Sequence, residues 1–571
     1  MTFSSTVGRN RKLRCSACSS IVAALLIWNS IAGDTAAQVR PATVIAVTGQ
    51  QVPGAPAGTY FDTFAKSIIT NGVSTSNTAI LNDNGDVTFN AALAGPMVIG
   101  ATDQAVFSTA GGLHVVARRG DLPAGASGAV AFNSFAFPSI SQTGEVAFAA
   151  TLAGVDITSA NANGVWIERN GQLQLVARSG DQVPAIDPGI VFSSVNNPLV
   201  GLNGAVAFIG SIKVAGSTGA FSGVFVDRGA GLQPEFLQGQ QLNETPPGVT
   251  LSSFVNLQMA GNTALAFTAT LAGTGVTILN DVAMFTETPA GVVTMQVREG
   301  QHAPGINPGS NFAVFGPTSP FSDPLSKGTG EFVFRAQANG GSGVWDTFGG
   351  SVELSLRAGV DVPGLPGVRL STVGVIGMHN GDLTFGGTVS GLGSYDDAIL
   401  TRTDGVFSVL AKSGDAAADL PGFIYQEIFP EMVNSRGQTL FESVVRGPDG
   451  SRNRAVFAQD GSGQIHLLVR VGEQIEVAPG DLRTIRTVVG MYASTNDDGR
   501  RSSFNNNGYF GYQATFTDGS QALLISDVVA VPEPAGIALA TLGAVVLLAH
   551  CWRRAFAASE ETAGHASQGM L

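Results

Sequence analysis

The residues of this chain that could do chemistry recur at fixed places. Arg118, Gly120 and Asp121 stand in "RRGD", Arg178, Gly180 and Asp181 in "RSGD", and Lys412–Asp415 is a variant. Arg119-Gly120-Asp121 also matches the tripeptide read by integrin-type receptors, in that copy alone. Repetition favours architecture. Glycine permits a turn, aspartate bonds backbone amides there, and arginine covers apolar surface or pairs with an acid. Asn82, Asp83, Asn84 and Asp86 are oxygen-rich, as a calcium loop would be. They lack the spacing and terminal bidentate glutamate of an EF-hand, so Asx turns are expected. Asp497, Asp498 and Asn505–Asn507 read the same way.

The histidines are His114, His302, His379, His466, His550 and His565, and none forms an HExxH or a regular pair. No GxSxG, P-loop or dinucleotide fingerprint stands in a convincing setting. Two acidic strand-end residues could form a glycosidase pair, but spacing along a chain does not set their separation in space. Cys15, Cys18 and Cys551 flank a long cysteine-free segment, which excludes structural disulfides and Cys-ligated metal there. No catalytic residue, metal or cofactor is expected.

These residues sit in a repeat. "VVARRGDLPAG" from Val115 returns from Leu175, Gln296 and Leu354, in weaker form from Val409 and Leu467, and divergently from Pro234; the central glycines of these seven copies are 55 to 61 residues apart. Before each comes a phrase of the type "LNDNGDVTFNAAL", whose phenylalanine is Phe89, Phe148, Phe208, Phe267, Phe334, Phe385 or Phe441. "NNNGYFGYQATF" from Asn505 is an eighth such phrase. Between the two lies a third, "AVF", "GVW", "GVF", "AMF" or "AIL". A glycine turn followed by alternating residues reads as a strand. Asn170-Gly171 marks a hairpin. The unit therefore reads as four antiparallel strands in about sixty residues, and the recurrent phenylalanines as packing between units.

Radial four-stranded units make a β-propeller; a string of small sandwiches is the main alternative, and about sixty residues is short for each. The last unit stops at "QALLISDVVAV" without its closing phrase, while "ATVIAVTGQQVPG" from Ala42 has that layout. An amino-terminal strand that completes the last blade would close the ring. The fold class is all-β, an eight-bladed propeller over residues 39–530 closed in this way. Seven blades is the alternative, because the last unit is irregular around "STNDDGRRSSFNNNG".

The chain has 74 glycines and a formal charge of -13, which makes nucleic acid a poor partner. Arg9, Arg11, Lys12 and Arg14, an apolar run from Ile21 to Trp28 and small residues before Gln38 read as a signal peptide over 1–37, cut after Ala37. At the other end, Val531-Pro532-Glu533-Pro534 precedes an apolar run from Ala535 to Trp552 and then Arg553-Arg554. The run has the length of a short transmembrane helix, with a positive stop after it.

Those three features together resemble the PEP-CTERM sorting signal, over about residues 531–557. The resemblance implies an exosortase-type enzyme as partner, which reads Val531, Pro532, Glu533 and Pro534 and cuts near them during export. It also implies a bacterium that makes extracellular polysaccharide. The polar tail 558–571 continues where such signals usually stop. The expectation is an exported protein, held by its carboxyl-terminal helix before processing and then at the surface or in the matrix. Its role would be non-catalytic, adhesive or polysaccharide-binding. The alternatives are a polysaccharide hydrolase or lyase on a propeller, or a protein-binding platform in the envelope.

Overall fold

The computed structural model describes residues 41–64, 68–70, 73–75, 80–126, 128–195, 197–261, 263–313, 321–326, 331–372, 374–379, 381–391, 397–490 and 502–528. Ala37, Val531–Pro534, Arg553, Arg554, the apolar run between them, Asp497 and Asp498 lie outside the described residues. Among the described residues no helix is long and apolar enough to cross a membrane.

The described chain is all strand and turn, arranged as an eight-bladed propeller. Blade two shows the pattern: Val130–Ile140, Val146–Gly154, Asn163–Arg169 and Gln172–Arg178 pair antiparallel in sequence order. The turn at Asn170 and Gly171 has φ of 52° and 69°, the left-handed pair that its hairpin needs. Corresponding first strands open at Tyr60–Thr63, Ile190–Ser194, Val249–Ala260, Phe321–Ser326, Leu365–Leu370, Ile424–Val433 and Asp481–Val489. First strands of neighbouring blades touch one another, which puts them at the centre of the ring. The stretch "VFSSVNNPLV" is thus the innermost strand of blade three, interrupted between Ile190–Ser194 and Leu199–Val200.

The amino-terminal strand closes the ring as expected. Thr43–Val47 pairs antiparallel with Gln521–Asp527, in the register Thr43↔Ile525 to Val47↔Ala522. It supplies the outer strand of blade eight and covers an edge that would otherwise seek a partner.

The core lies between blades. Each of eight buried clusters draws on two consecutive blades, and one joins Ala46, Leu523 and Ile525 of blade eight to Phe61, Phe89 and Phe107 of blade one. Six of the seven recurrent phenylalanines build these clusters by facing the aromatic of the third phrase across the strand pair, Phe89↔Phe107, Phe148↔Trp166, Phe208↔Phe225, Phe267↔Phe285, Phe334↔Trp345 and Phe441↔Phe457, while Phe385 faces Leu400. The rings stack, with centroids 5.1 Å apart for Phe89–Phe107 and 5.4 Å for Phe441–Phe457. Such pairs contribute ~0.5–1.5 kcal/mol beyond their burial. The glycine of "GVW" has a steric cause: a Cβ on Gly164 would lie 2.5 Å from the Trp166 ring.

Candidate functional site

The Arg-x-Gly-Asp residues are held by the scaffold. Arg118, Arg178 and Arg298 each donate Nε to a carbonyl in the loop between the second and third strands: Thr102 at 3.0 Å, Asn161 at 2.8 Å and Asn280 at 2.7 Å. Asp121 and Asp415 accept the backbone amides of Arg118 and Lys412, both at 3.2 Å. Burial raises the Asp121 and Asp181 carboxyls, opposed at Asp121 by the backbone amide and charge of Arg118 and at Asp181 by the charge of Arg178. Arg119 pairs with Asp103 at 2.9 Å, so all three residues of the receptor-like tripeptide serve local structure.

The Asn-Asp turns join blade to blade. Asn82 donates to the Ser141 carbonyl at 3.0 Å, and Asn84 to that of Gln142 at 2.9 Å. Gln142 in turn donates its amide to the Leu202 carbonyl, and Leu202 to that of Gly261. Asn434 bonds Asn505, and Asn505 bonds Asn82 across the closure, each at 2.8 Å. Of the oxygens that suggested a calcium loop, Asn82 Oδ1 accepts the Asp86 amide and Asp86 Oδ2 accepts from the Asn82 side-chain amide. Among the described residues no three potential metal ligands gather.

A second set of inter-blade links lies at the hairpins between third and fourth strands. Arg169 reaches from blade two to Asp227 of blade three at 3.0 Å and donates to the Gly204 carbonyl at 2.9 Å. Arg228 of blade three approaches Glu287 of blade four at 3.9 Å and donates to the Thr263 carbonyl at 3.3 Å. Burial, then the nearby Glu235 carboxylate, pushes Glu287 up to about 8. Glu168 of blade two stands in the column of Asp227 and Glu287, but blade one offers Ala110 where blades two and three have Arg169 and Arg228. His114 from the fourth strand bonds Glu168 instead, at 3.2 Å. A groove of about 230 Å³ opens there, lined by Ala110, His114, Gly144, Glu145, Glu168 and Asn170 among others. The His114 pKa is raised. Partial burial opposes the rise, and the Gly112 carbonyl and the Glu168 carboxylate outweigh it.

Blade seven holds a carboxyl pair on its two inner strands. Glu431 lies on its innermost strand and Glu442 on the next. Arg454, from the third strand, donates Nη1 to Glu442 at 2.6 Å. Its guanidinium also lies 5.8 Å from the ring centroid of Phe429, which is 37% exposed. Burial, then the Glu442 charge, pushes Glu431 up to about 7, with Arg454 opposing. This pair was missed in the sequence because it is not repeated. Its one signal is Glu442 itself, a buried acid directly after the recurrent phenylalanine, where other blades have Asn90, Ala149, Ile209 or Thr268. Of the remaining described histidines, His302 is partnered locally with the Ser310 carbonyl at 3.0 Å and His466 with Asp460 at 3.1 Å.

No curated protein sequence matches this chain. Solved structures with some likeness include the polysaccharide lyase Uly1, at 10% identity over 86% of this chain and 100% of that one, with a TM-score of 0.31. Trypanosoma rangeli sialidase with the inhibitor DANA shares 9% over 87% and 92%, at 0.25. Penicillium chrysogenum alpha-L-arabinanase with arabinobiose shares 8% over 68% and 92%, at 0.21. The activities in those names stay with those proteins. A family match spans residues 27–136 and 81–538, so this chain belongs to the family of unknown function DUF7453.

Proposed function

We propose that this protein is an exported propeller that acts on a polysaccharide, with blade seven as its working site. The observation that supports this is the pairing of a raised carboxyl, Glu431, with a carboxylate held by arginine, Glu442, beside an exposed aromatic ring. Hydrolysis of a glycosidic bond by a carboxyl pair uses a proton donor and a second carboxylate whose environments differ. In this reading Glu431 protonates the leaving oxygen, Glu442 provides the second carboxylate, and Phe429 offers an apolar face to a sugar ring. The test is cleavage of exopolysaccharide from the native host, followed by reducing ends and chain length. Folded wild-type protein that leaves the polymer intact would overturn the catalytic assignment.

A second reading, non-catalytic adhesion to the same polymer, is supported by how the recurrent polar residues are used. Asn82, Asn84, Asn434 and Asn505 hold blades to one another, and Arg118, Arg178 and Arg298 hold loops. Binding without cleavage, unchanged by Glu431→Gln, would select it.

Export belongs to the same proposal. The signal peptide over 1–37 and the sorting signal over 531–557 would deliver the propeller to the surface or matrix through an exosortase-type enzyme. Intact mass and fractionation, with and without alteration of Pro532-Glu533-Pro534, test it. A cell-associated product still carrying Arg553 and Arg554 would count against processing.

A further inference from the structure

We propose that the groove between blades one and two receives the guanidinium group of an arginine side chain presented by a partner protein. The inference comes from comparing junctions of the same ring. At the next junction Arg169 bonds Asp227 and the Gly204 carbonyl of the following blade; at the one after, Arg228 donates to the Thr263 carbonyl and lies 3.9 Å from Glu287, while its close ion pair, at 2.6 Å, is with Glu235 of its own blade. The acids stand two residues after "GVF" and "AMF", the arginines three after "GVW" and "GVF", and the carbonyl residues four before Phe208 and Phe267.

The first junction repeats the acceptors. Glu168 stands two residues after "GVW", and Gly144 four before Phe148. Three residues after "AVF", however, is Ala110. The scaffold thus keeps the acid and the carbonyl position that hold Arg169 at the next junction, without an arginine of its own chain. Ala110, Gly144 and Glu168 all line the open groove, and Gly111 and Gly171 keep its rim low. A guanidinium matches two acceptors with parallel donors, which an ammonium point charge does not. A chain of net charge -13 favours approach of a cationic partner. His114 is the internal competitor for Glu168.

The test is calorimetric or NMR titration of the full chain with N-acetyl-arginine amide. Saturable binding is expected, weakened about tenfold or more with the neutral citrulline analogue. Ala110→Arg should abolish it by filling the groove from within, with a melting temperature at or above wild type. Glu168→Gln should weaken it about tenfold or more, independently of whether Ala110→Arg folds well. Several outcomes overturn the proposal: no saturation, equal binding of citrulline, undiminished binding by Glu168→Gln, or undiminished binding by a folded Ala110→Arg protein. Preferential binding of glucosamine, lost in Ala110→Arg, would reassign the groove to amino sugars. None of these outcomes bears on blade seven.

Discussion

Asn506 grips both carboxylate oxygens of Asp83 across 423 residues of sequence: its backbone amide donates to Oδ1 at 2.8 Å and its side-chain amide to Oδ2 at 2.9 Å. This contact ties blade eight to blade one, beside the strand pairing of Thr43–Val47 that completes blade eight. The ring is therefore closed twice, once by a β-ladder and once by side chains.

Asp83→Ala removes both bonds and should destabilise the fold by about 1–3 kcal/mol. Denaturant unfolding measures this. A change within experimental error would mean that the strand and the remaining bonds of Asn505 and Asn507 suffice to close the ring.

Gly164→Ala should be costly for a different reason. The added methyl would sit 2.5 Å from the buried Trp166 ring. Overpacking of this kind costs about 1–3 kcal/mol. A lowered melting temperature with retained near-ultraviolet ellipticity is expected.

Stability should fall as pH rises. Burial raises Glu287 and Glu299 from 4.5 to about 8, assisted by Glu235 and Asp281 respectively. Between these values the folded chain keeps protons that the unfolded chain has released, so the free energy of unfolding declines with increasing pH. Glu287→Gln should flatten the decline. Unfolding curves from pH 5 to pH 9, about the span of the two titrations, check the sign. A stability that rose over this window would contradict the assignment.

Glu431→Gln should cut turnover of the polysaccharide by about a hundredfold or more while leaving binding intact. Wild-type activity should fall as pH rises through about 7, since the donor must carry its proton. Loss of binding together with turnover would instead give Glu431 a part in holding the polymer.

Much of the fold is legible in the sequence. Strands alternate with a period of two, so "GDVTF" displays its inward phenylalanine directly. The unpaired closing phrase from Ala42 announced its own partner, because a ring of four-stranded units leaves one strand missing and one spare. The candidate sites were less legible. Glu431 and Glu442 each occur once, and a repeat reveals what every blade needs, not what one blade alone does. Asn505–Asn507 looked irregular in the sequence, yet they perform at the closure the same inter-blade bonding that Asn82 and Asn84 perform next to it.

The sequence by itself determined the all-β class, the four-stranded unit, the aromatic columns and the strand that closes the ring. Each of these is local or periodic, and periodicity is written along the chain. Only the tertiary structure decided that the acidic turns bind neighbouring blades, that Arg454 holds Glu442 beside Glu431, and that Ala110 leaves Glu168 without the arginine its counterparts have. These relations join residues from different strands or blades, and their distances depend on the twist and radius of the whole ring.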